Sequence, residues 1–376
     1  MYPVYALLFA DAGLSVAEIS SLFVIWSLTG FVLEVPSGVW ADAVSRRALL
    51  TLAPLLSGAG FGLWVIAPSF EAFALGFVLW GAQGALQSGA LEALVYEELE
   101  HAGAEARYPQ LMGRAAALGT IAGGLATALA VPVFGAGGYA ALGAVSVLAC
   151  AAAAAVGATL PEHRQAAAGD GDGDGDAAAS GLRAHVAIVA AGVRELRGSR
   201  VLRGAVLLVP AVVTVWGSLD EYLPLLAAEN GAAPQQVALL ALVVYGGVAV
   251  GGLLAGRTAR LRGRGLGLML GAAAALLAAG ALVRAPAGFA AIALAFALFQ
   301  AVTIVVDARL QQAIEGRARS TVTSLAGLLT EVATIATFTA YAAGSAVLSH
   351  AVLFGLCAAA YLLVAPFAAR VVDAVR

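Results

Sequence analysis

A small set of ionisable side chains stands inside long apolar stretches of this chain: Glu34, Glu92, Arg114, Asp220, Glu221 and Glu331. A charge in such a place costs a few kcal/mol even on the lenient membrane-insertion scale, so each is a candidate for function. A carboxylate taken out of water either meets a counter-charge or holds its proton more tightly, and the second behaviour is what a proton-carrying site requires. Glu331 lies deepest, about twelve residues or roughly 18 Å into its stretch, with no arginine close to it in sequence. It is the first candidate for proton coupling. Asp220 and Glu221, about seventeen residues beyond Arg203 and beside Tyr222 and Pro224, come second, and a solvated outer vestibule fits them equally well. Glu34 lies roughly 12 Å in from Asp42, and Glu92 and Arg114 fall at the inner halves of neighbouring stretches. These three can form one cluster, either a structural ion network or a proton and substrate site. The network is favoured, because Arg114 neutralises a carboxylate directly and a paired acid carries protons poorly near neutrality. Asp307, close to Arg309, reads as an ion pair that fixes topology.

Other chemistries lack their residues. There is no P-loop, no H-E-x-x-H pair and no Gly-x-Ser-x-Gly elbow, so autonomous catalysis has no support and no cofactor is expected. Cys150 and Cys357 lie in apolar stretches and offer neither a disulfide framework nor a metal site. Gly169 to Asp176 alternates Gly and Asp like a calcium loop starting at Asp170. Its twelfth position is Gly181, without the bidentate glutamate, so a solvated linker is the better reading. Trp26, Trp64, Trp80, Trp216 and Tyr245 are scattered along the chain and read as packing or interfacial anchors, with Trp216, one turn before Asp220, placed to line a cavity.

The elements that must hold these groups follow from composition. Of the 376 residues 61% are hydrophobic and 11% charged, whereas a soluble domain carries roughly 25% charged residues. The basic residues are all arginine and the net charge is −3, so no basic footprint for nucleic acid exists. Cutting the chain at its charged, glycine and proline clusters leaves twelve apolar spans. They run from Met1 to Ala10, Ser20 to Ala41, Arg47 to Ala67, Ala72 to Val95, Leu111 to Phe134, Tyr139 to Leu160, Val206 to Ala228, Val237 to Thr258, Gly265 to Val283, Gly288 to Leu310, Thr321 to Ala343 and Val347 to Ala369. The first is too short for a bilayer core of about 30 Å and reads as the second half of an N-terminally truncated helix. Ser15 and Glu18 have the spacing of a capping box opening the second.

Arginine placement orients the spans, because short translocated loops are depleted of positive charge. With both termini in the cytoplasm, 19 of the 20 arginines fall on the cytoplasmic side and only Arg284 outside. The expectation is a multi-pass protein of the plasma (inner) membrane, monomeric, with lipid, protons and a small molecule as its partners. The one long polar segment divides the spans six and six, giving an N-terminal six-helix bundle (1–160), a cytoplasmic linker (161–203) and a C-terminal six-helix bundle (204–376). In the linker, Leu182, Val186, Val189, Val193 and Leu196 recur at helical spacing among arginines, the pattern of an amphipathic helix on the inner leaflet.

The loops repeat. Gly38 to Arg47 reads G-V-W-A-D-A-V-S-R-R after the second span, and Gly252 to Arg260 reads G-L-L-A-G-R-T-A-R after the eighth. At these residues the chain resembles the major facilitator superfamily (MFS), whose signature G-x-L-A-D-x-x-G-R-K/R is matched by Gly38, Ala41, Asp42, Arg46 and Arg47. Trp40 and Ser45 depart from its leucine and second glycine. The second copy keeps Gly252, Leu254, Ala255 and Arg257, with Gly256 in place of the acid. Gly119 to Gly124 reads G-T-I-A-G-G, similar to the antiporter motif G-P-x-x-G-G carried here by Gly119, Gly123 and Gly124, with Thr120 in place of proline.

The resemblance implies an all-α integral membrane protein of twelve transmembrane helices in two bundles, working by alternating access as a secondary transporter. It implies a gating latch at Gly38, Asp42, Arg46, Arg47, Gly252 and Arg257, against the plainer reading that Arg46 and Arg47 only enforce topology. The expected activity is proton-coupled export of a small amphipathic or drug-like molecule, with the proton gradient as energy source. Proton-coupled uptake of a small nutrient or metabolite is the alternative, and the permease subunit of an ATP-driven complex is the reading from a different class.

Overall fold

The computed structural model describes residues 1–163, 198–314 and 319–374, apart from the side chains of 34–43 and 319–321. Among them the chain is helical throughout, without a strand. In chain order the helices are α1 (Tyr5–Asp11), α2 (Val16–Ala43), α3 (Arg46–Ile66), α4 (Phe70–Gln87), α5 (Ala90–His101), α6 (Tyr108–Ala158), α7 (Arg200–Asp220), α8 (Leu223–Glu229), α9 (Pro234–Thr258), α10 (Gly263–Leu282), α11 (Phe289–Ala313), α12 (Arg319–Ser345) and α13 (His350–Ala374). Nine helices among the described residues are long and apolar enough to cross a membrane. Ile66, Leu253, Leu268 and Leu363 are 76–83% exposed on such helices, which suits lipid and would be costly in water. The Gly169–Asp176 stretch and the helix expected between Leu182 and Leu196 lie outside the described residues.

Two expected spans differ in form. The span from Ala72 to Val95 is broken, because Ser88 ends α4 and Gly89, at φ +71°, restarts the chain as α5. The spans Leu111 to Phe134 and Tyr139 to Leu160, given the single label α6, are as expected two helices, which meet at a kink where Gly137 and Gly138 leave helical geometry. Gly138 has φ +58°, which a residue without Cβ adopts freely. The span from Val206 to Ala228 divides at Glu221 and Tyr222 into α7 and the short α8. The Ser15–Glu18 capping box is as expected. The Ser15 amide donates to Glu18 Oε2 at 2.8 Å and the Glu18 amide donates to Ser15 Oγ at 3.2 Å.

The chain forms two compact units, Leu22–Val186 with Met1, and Ala187–Arg376 with Tyr2–Ser21, so α1 and the first turn of α2 group with the C-terminal unit. In the first unit α3 packs on α4 and α6. Its core gathers Trp26, Trp64 and Trp80 around Phe77, with Trp26 and Trp80 stacked at 4.9 Å and Trp64 4.9 Å from Phe77. These tryptophans, far apart in sequence, are therefore one packing cluster. Trp64 is fully buried, and its indole N–H donates to the Phe73 carbonyl at 3.1 Å. A Cβ at Gly76 would come within 1.9 Å of that indole nitrogen, so only glycine admits the ring.

In the second unit α10 packs on α13, and α9 on α11. A Cβ at Gly247 or Gly251 would lie 2.2 or 2.1 Å from the Ala293 or Ala297 carbonyl oxygen. This G-x-x-x-G face lets α9 and α11 meet backbone to backbone, the usual route to tight helix packing in lipid. Against this frame α7 is held by α11, α12 and α13, and α1 lies on α8.

Candidate functional site

The site grows along the second half of α7. Ser199 caps the helix, accepting from the Leu202 amide at 3.2 Å, and Pro210 lies within it. Further along, the buried hydroxyl of Tyr361, from α13, donates to the Val212 carbonyl at 2.9 Å and accepts from the Trp216 amide at 2.8 Å. Those are the two groups that a helix joins i to i+4, so the hydroxyl bridges both ends of one rung of the ladder. The Trp216 ring is braced by an indole bond to Thr303 Oγ1 at 3.2 Å and packs on Phe296 and Phe299. One turn later α7 ends at Asp220.

Asp220 is held by tyrosines rather than by arginine. The Tyr2 hydroxyl donates to Asp220 Oδ2 at 2.5 Å. The Tyr245 hydroxyl donates to the Tyr2 oxygen at 2.5 Å and lies 3.3 Å from the same carboxylate oxygen. The two rings stack with centroids 5.7 Å apart. Asp220 Oδ1 and Glu221 Oε2 are shut off from solvent with no hydrogen-bond partner among the described residues, and neither acid forms an ion pair there. Thr214 and Ser218, 4% and 3% exposed, likewise have hydroxyls without partners. Positions 214, 218 and 221 follow i, i+4, i+7, so these oxygens share one face of the helix.

Beside this cluster Tyr222 is fully buried, donates to Ser20 Oγ at 2.7 Å and stacks on Tyr341 at 3.7 Å. The Tyr341 hydroxyl meets His350 Nδ1 at 2.6 Å. The carboxylate of Glu229 accepts from the His350 and Ala351 amides at 2.7 and 3.1 Å, capping α13 with a negative charge where the helix dipole favours one.

The signature loop forms a second polar cluster, within the first unit. Ser45 is the N-cap of α3, accepting from the Ala48 amide at 3.1 Å, which gives a physical role to the serine standing where the family has glycine. The Ser45 hydroxyl also donates to Glu162, and that carboxylate accepts from the Arg46 and Arg47 amides at 2.7 and 3.4 Å. Burial pushes the Glu162 carboxyl up, but these bonds and the charge of Arg47 outweigh it and hold it below the ordinary glutamate value. The Arg46 side chain is ion-paired with Glu97. Glu98 accepts from the His163 amide at 2.6 Å and meets its ring at 2.8 Å.

The remaining expected residues fall as follows. Glu331 is half-buried in α12. Glu92 and Arg114 are both exposed and form no ion pair with each other, because the break at Ser88 and Gly89 carries Glu92 into α5. The side chains of Glu34 and Asp42 lie outside the described residues, and the backbone at both and at Gly38 is helical in α2. Arg257 is exposed in the last turn of α9, and a Cβ added at Gly252 would lie 4.0 Å from Ile304 Cδ1 of α11. Gly119, Gly123 and Gly124 lie on α6, where an added Cβ meets nothing within 4 Å. Asp307 is not paired with Arg309, which donates instead to Gln312 Oε1 at 2.9 Å and the Ala259 carbonyl at 3.2 Å. Two residues apart on a helix, Asp307 and Arg309 point in different directions. Tyr2, Tyr361 and Glu162 carry no sequence signal as partners, and the spacing of Tyr245 suggests only an anchor.

The sequence profile of the Major Facilitator Superfamily matches residues 1–338. No curated protein sequence matches the chain. Among solved structures it is similar to a D-xylose-proton symporter, with 15% identity over 99% of this chain and 93% of that one, TM-score 0.69. It is similar also to the nucleoside transporter NupG, with 13% identity, 98% and 92% coverage and TM-score 0.65. A third likeness is to a bacterial homolog of the human lysosomal transporter Spinster in its inward-facing, unoccupied conformation, with 16% identity, 99% and 96% coverage and TM-score 0.61. At these identities the likeness is one of fold, while the profile covers most of the chain, and the chain belongs to the Major Facilitator Superfamily, as a membrane transporter and not an enzyme.

Proposed function

We propose that this protein is a proton-coupled secondary transporter that works by alternating access and exports a small amphipathic molecule. Its twelve spans would form two six-helix bundles in the plasma membrane, with both termini cytoplasmic, as the arginine distribution favours. The observation that carries the reading is the pair Asp220 and Glu221, whose shielded oxygens have neither a hydrogen-bond partner nor a counter-charge among the described residues. Two neighbouring acids in that state are poorly tolerated as charges and neutralise by taking protons. Asp220 and Glu221 therefore stand ahead of Glu331 as the coupling site, with Glu331 the second candidate on α12. The latch role goes to the signature loop, in which Arg46 and Arg47 are anchored to Glu97 and Glu162 at the start of α3, while Asp42, Gly38, Gly252 and Arg257 have their role from the family pattern. Gly119, Gly123 and Gly124 support export through the same pattern.

Uptake is the second reading. It is favoured by the structural likeness to a proton symporter for D-xylose. Purified full-length protein in liposomes, given an imposed pH gradient and a panel of radiolabelled amines, pentoses and nucleosides, tests the proposal. A compound that moves against its own gradient while protons move the opposite way, without ATP or a partner subunit, is the expected result. Movement in the same direction as protons would replace export with uptake. Transport only in the presence of an added nucleotide-binding subunit would overturn secondary transport.

A further inference from the structure

The acids of the second unit have more acceptors than the protein satisfies. Tyr2 and Tyr245 serve one oxygen of Asp220, leaving Asp220 Oδ1 and Glu221 Oε2 unpartnered. The face of α7 that carries Glu221 adds the deeply buried hydroxyls of Ser218 and Thr214, also unpartnered, while Asp220 stands one position round the helix beside Tyr2 and Tyr245. From Thr214 to Glu221 this stripe is about 10 Å long at 1.5 Å per residue. Buried polar atoms are nearly always satisfied in native proteins, so three such groups in one stripe, with Asp220 Oδ1 next to its end, mark a place where something else supplies the donors. That partner must carry N–H or O–H groups and, to offset two adjacent carboxylates with no arginine bonded to them, positive charge. The stacked rings of Tyr2 and Tyr245 supply aromatic surface beside the carboxylates, which suits an ammonium with an apolar body.

We propose that Asp220 and Glu221, with Ser218 and Thr214, form a binding site for a protonated primary or secondary amine on a small apolar or aromatic body. The site rests on the proton-coupling reading of the same acids and deepens it. Carboxylates neutralised by an ammonium no longer need protons, so amine and protons exclude one another, which is the linkage an exchanger needs. A neutral polyol offers donors but no charge, and a quaternary ammonium offers charge but no donor. Both should bind worse than the amine.

The test is equilibrium binding to the purified full chain in detergent near pH 7.5, where transport plays no part. The probes are 2-phenylethylamine, its neutral isostere 2-phenylethanol, its N,N,N-trimethyl derivative, uridine and D-xylose. The amine is expected to bind at least about tenfold more tightly than each of the others, the margin of one charge-assisted hydrogen bond. Its affinity should fall about tenfold in Glu221→Gln and as pH is lowered. Ser218→Ala guards against a folding artefact. Removing an unpartnered hydroxyl should leave thermal stability equal or higher, while weakening the amine severalfold. Equal binding of the amine and 2-phenylethanol, tighter binding of uridine or D-xylose, or amine affinity unmoved in both variants would overturn the proposal. Amine binding without proton movement in liposomes would uphold the site and sink the coupling reading. Proton-driven transport of neutral probes without amine binding would do the reverse.

Discussion

Replacing Tyr361 by phenylalanine removes one oxygen and two hydrogen bonds, to the Val212 carbonyl at 2.9 Å and from the Trp216 amide at 2.8 Å. The ring remains, packed at 4.4 Å on Phe299, so the change creates no large cavity. If α7 keeps its shape, two buried main-chain groups lose their partners, at about 1–3 kcal/mol each. A loss of about 2 kcal/mol lowers the melting temperature by roughly 4–8 °C. If α7 instead closes its own i to i+4 bond, most of that loss is recovered, but the last turn of the helix must tighten. Asp220 then moves against Tyr2 and Tyr245, whose hydroxyls hold it at 2.5 and 3.3 Å. Thermal unfolding of the purified chain and the pH profile of its transport, measured together, separate the two cases. The first gives a large drop in stability with the profile kept, and the second gives near-normal stability with a displaced profile. A Tyr361→Phe protein unchanged within about 1 °C and with an unchanged pH profile would refute the role given to the bridging hydroxyl.

Three further changes test the frame. Ser45→Ala should destabilise the protein by about 1 kcal/mol through loss of the α3 cap, whereas Ser45→Gly, the residue usual in the family, should cost only a few tenths in thermal unfolding. Gly247→Ala and Gly251→Ala force a methyl group to 2.2 and 2.1 Å from carbonyl oxygens of α11 and should each cost about 1–3 kcal/mol. The neighbouring Gly246→Ala meets nothing within 4 Å and should be neutral or stabilising by up to about 1 kcal/mol in the same assay. Glu162 has a folded pKa below its ordinary value, so its stabilising contribution is present above about pH 4.3 and fades as pH falls through the lowered value. The stability difference between wild type and Glu162→Gln should be visible near neutrality and vanish in acid, and a difference independent of pH would count against the capping contacts.

Features written in local spacing were legible from the sequence. The Ser15–Glu18 box is one example, since its partners are three residues apart. Apolar run lengths likewise located most helices. Errors arose where one local choice changed everything after it. A helix extended through Ser88 and Gly89 misplaces Glu92, because the left-handed glycine starts a new one. The pairing of Asp307 with Arg309 counted proximity along the chain and ignored the direction side chains take on a helix. The tyrosine shell of Asp220 was hidden for a different reason. Tyr2 is 218 residues away, ahead of α1, and Tyr245 is 25 away on α9, and no short pattern encodes how those segments pack. Tyrosine in a membrane span also has a bland explanation as an interfacial anchor, and only the hydroxyl's partner tells the two roles apart.

Proton movement evoked by substrate in liposomes holding the full chain, read by an internal pH dye, tests the coupling claim most directly. Wild-type protein should move protons when 2-phenylethylamine is added, in the direction opposite to the amine, and Glu221→Gln should abolish the response while still binding into liposomes and unfolding cooperatively. Full proton movement in Glu221→Gln and Asp220→Asn, with the response lost in Glu331→Gln, would contradict the account and place coupling on α12.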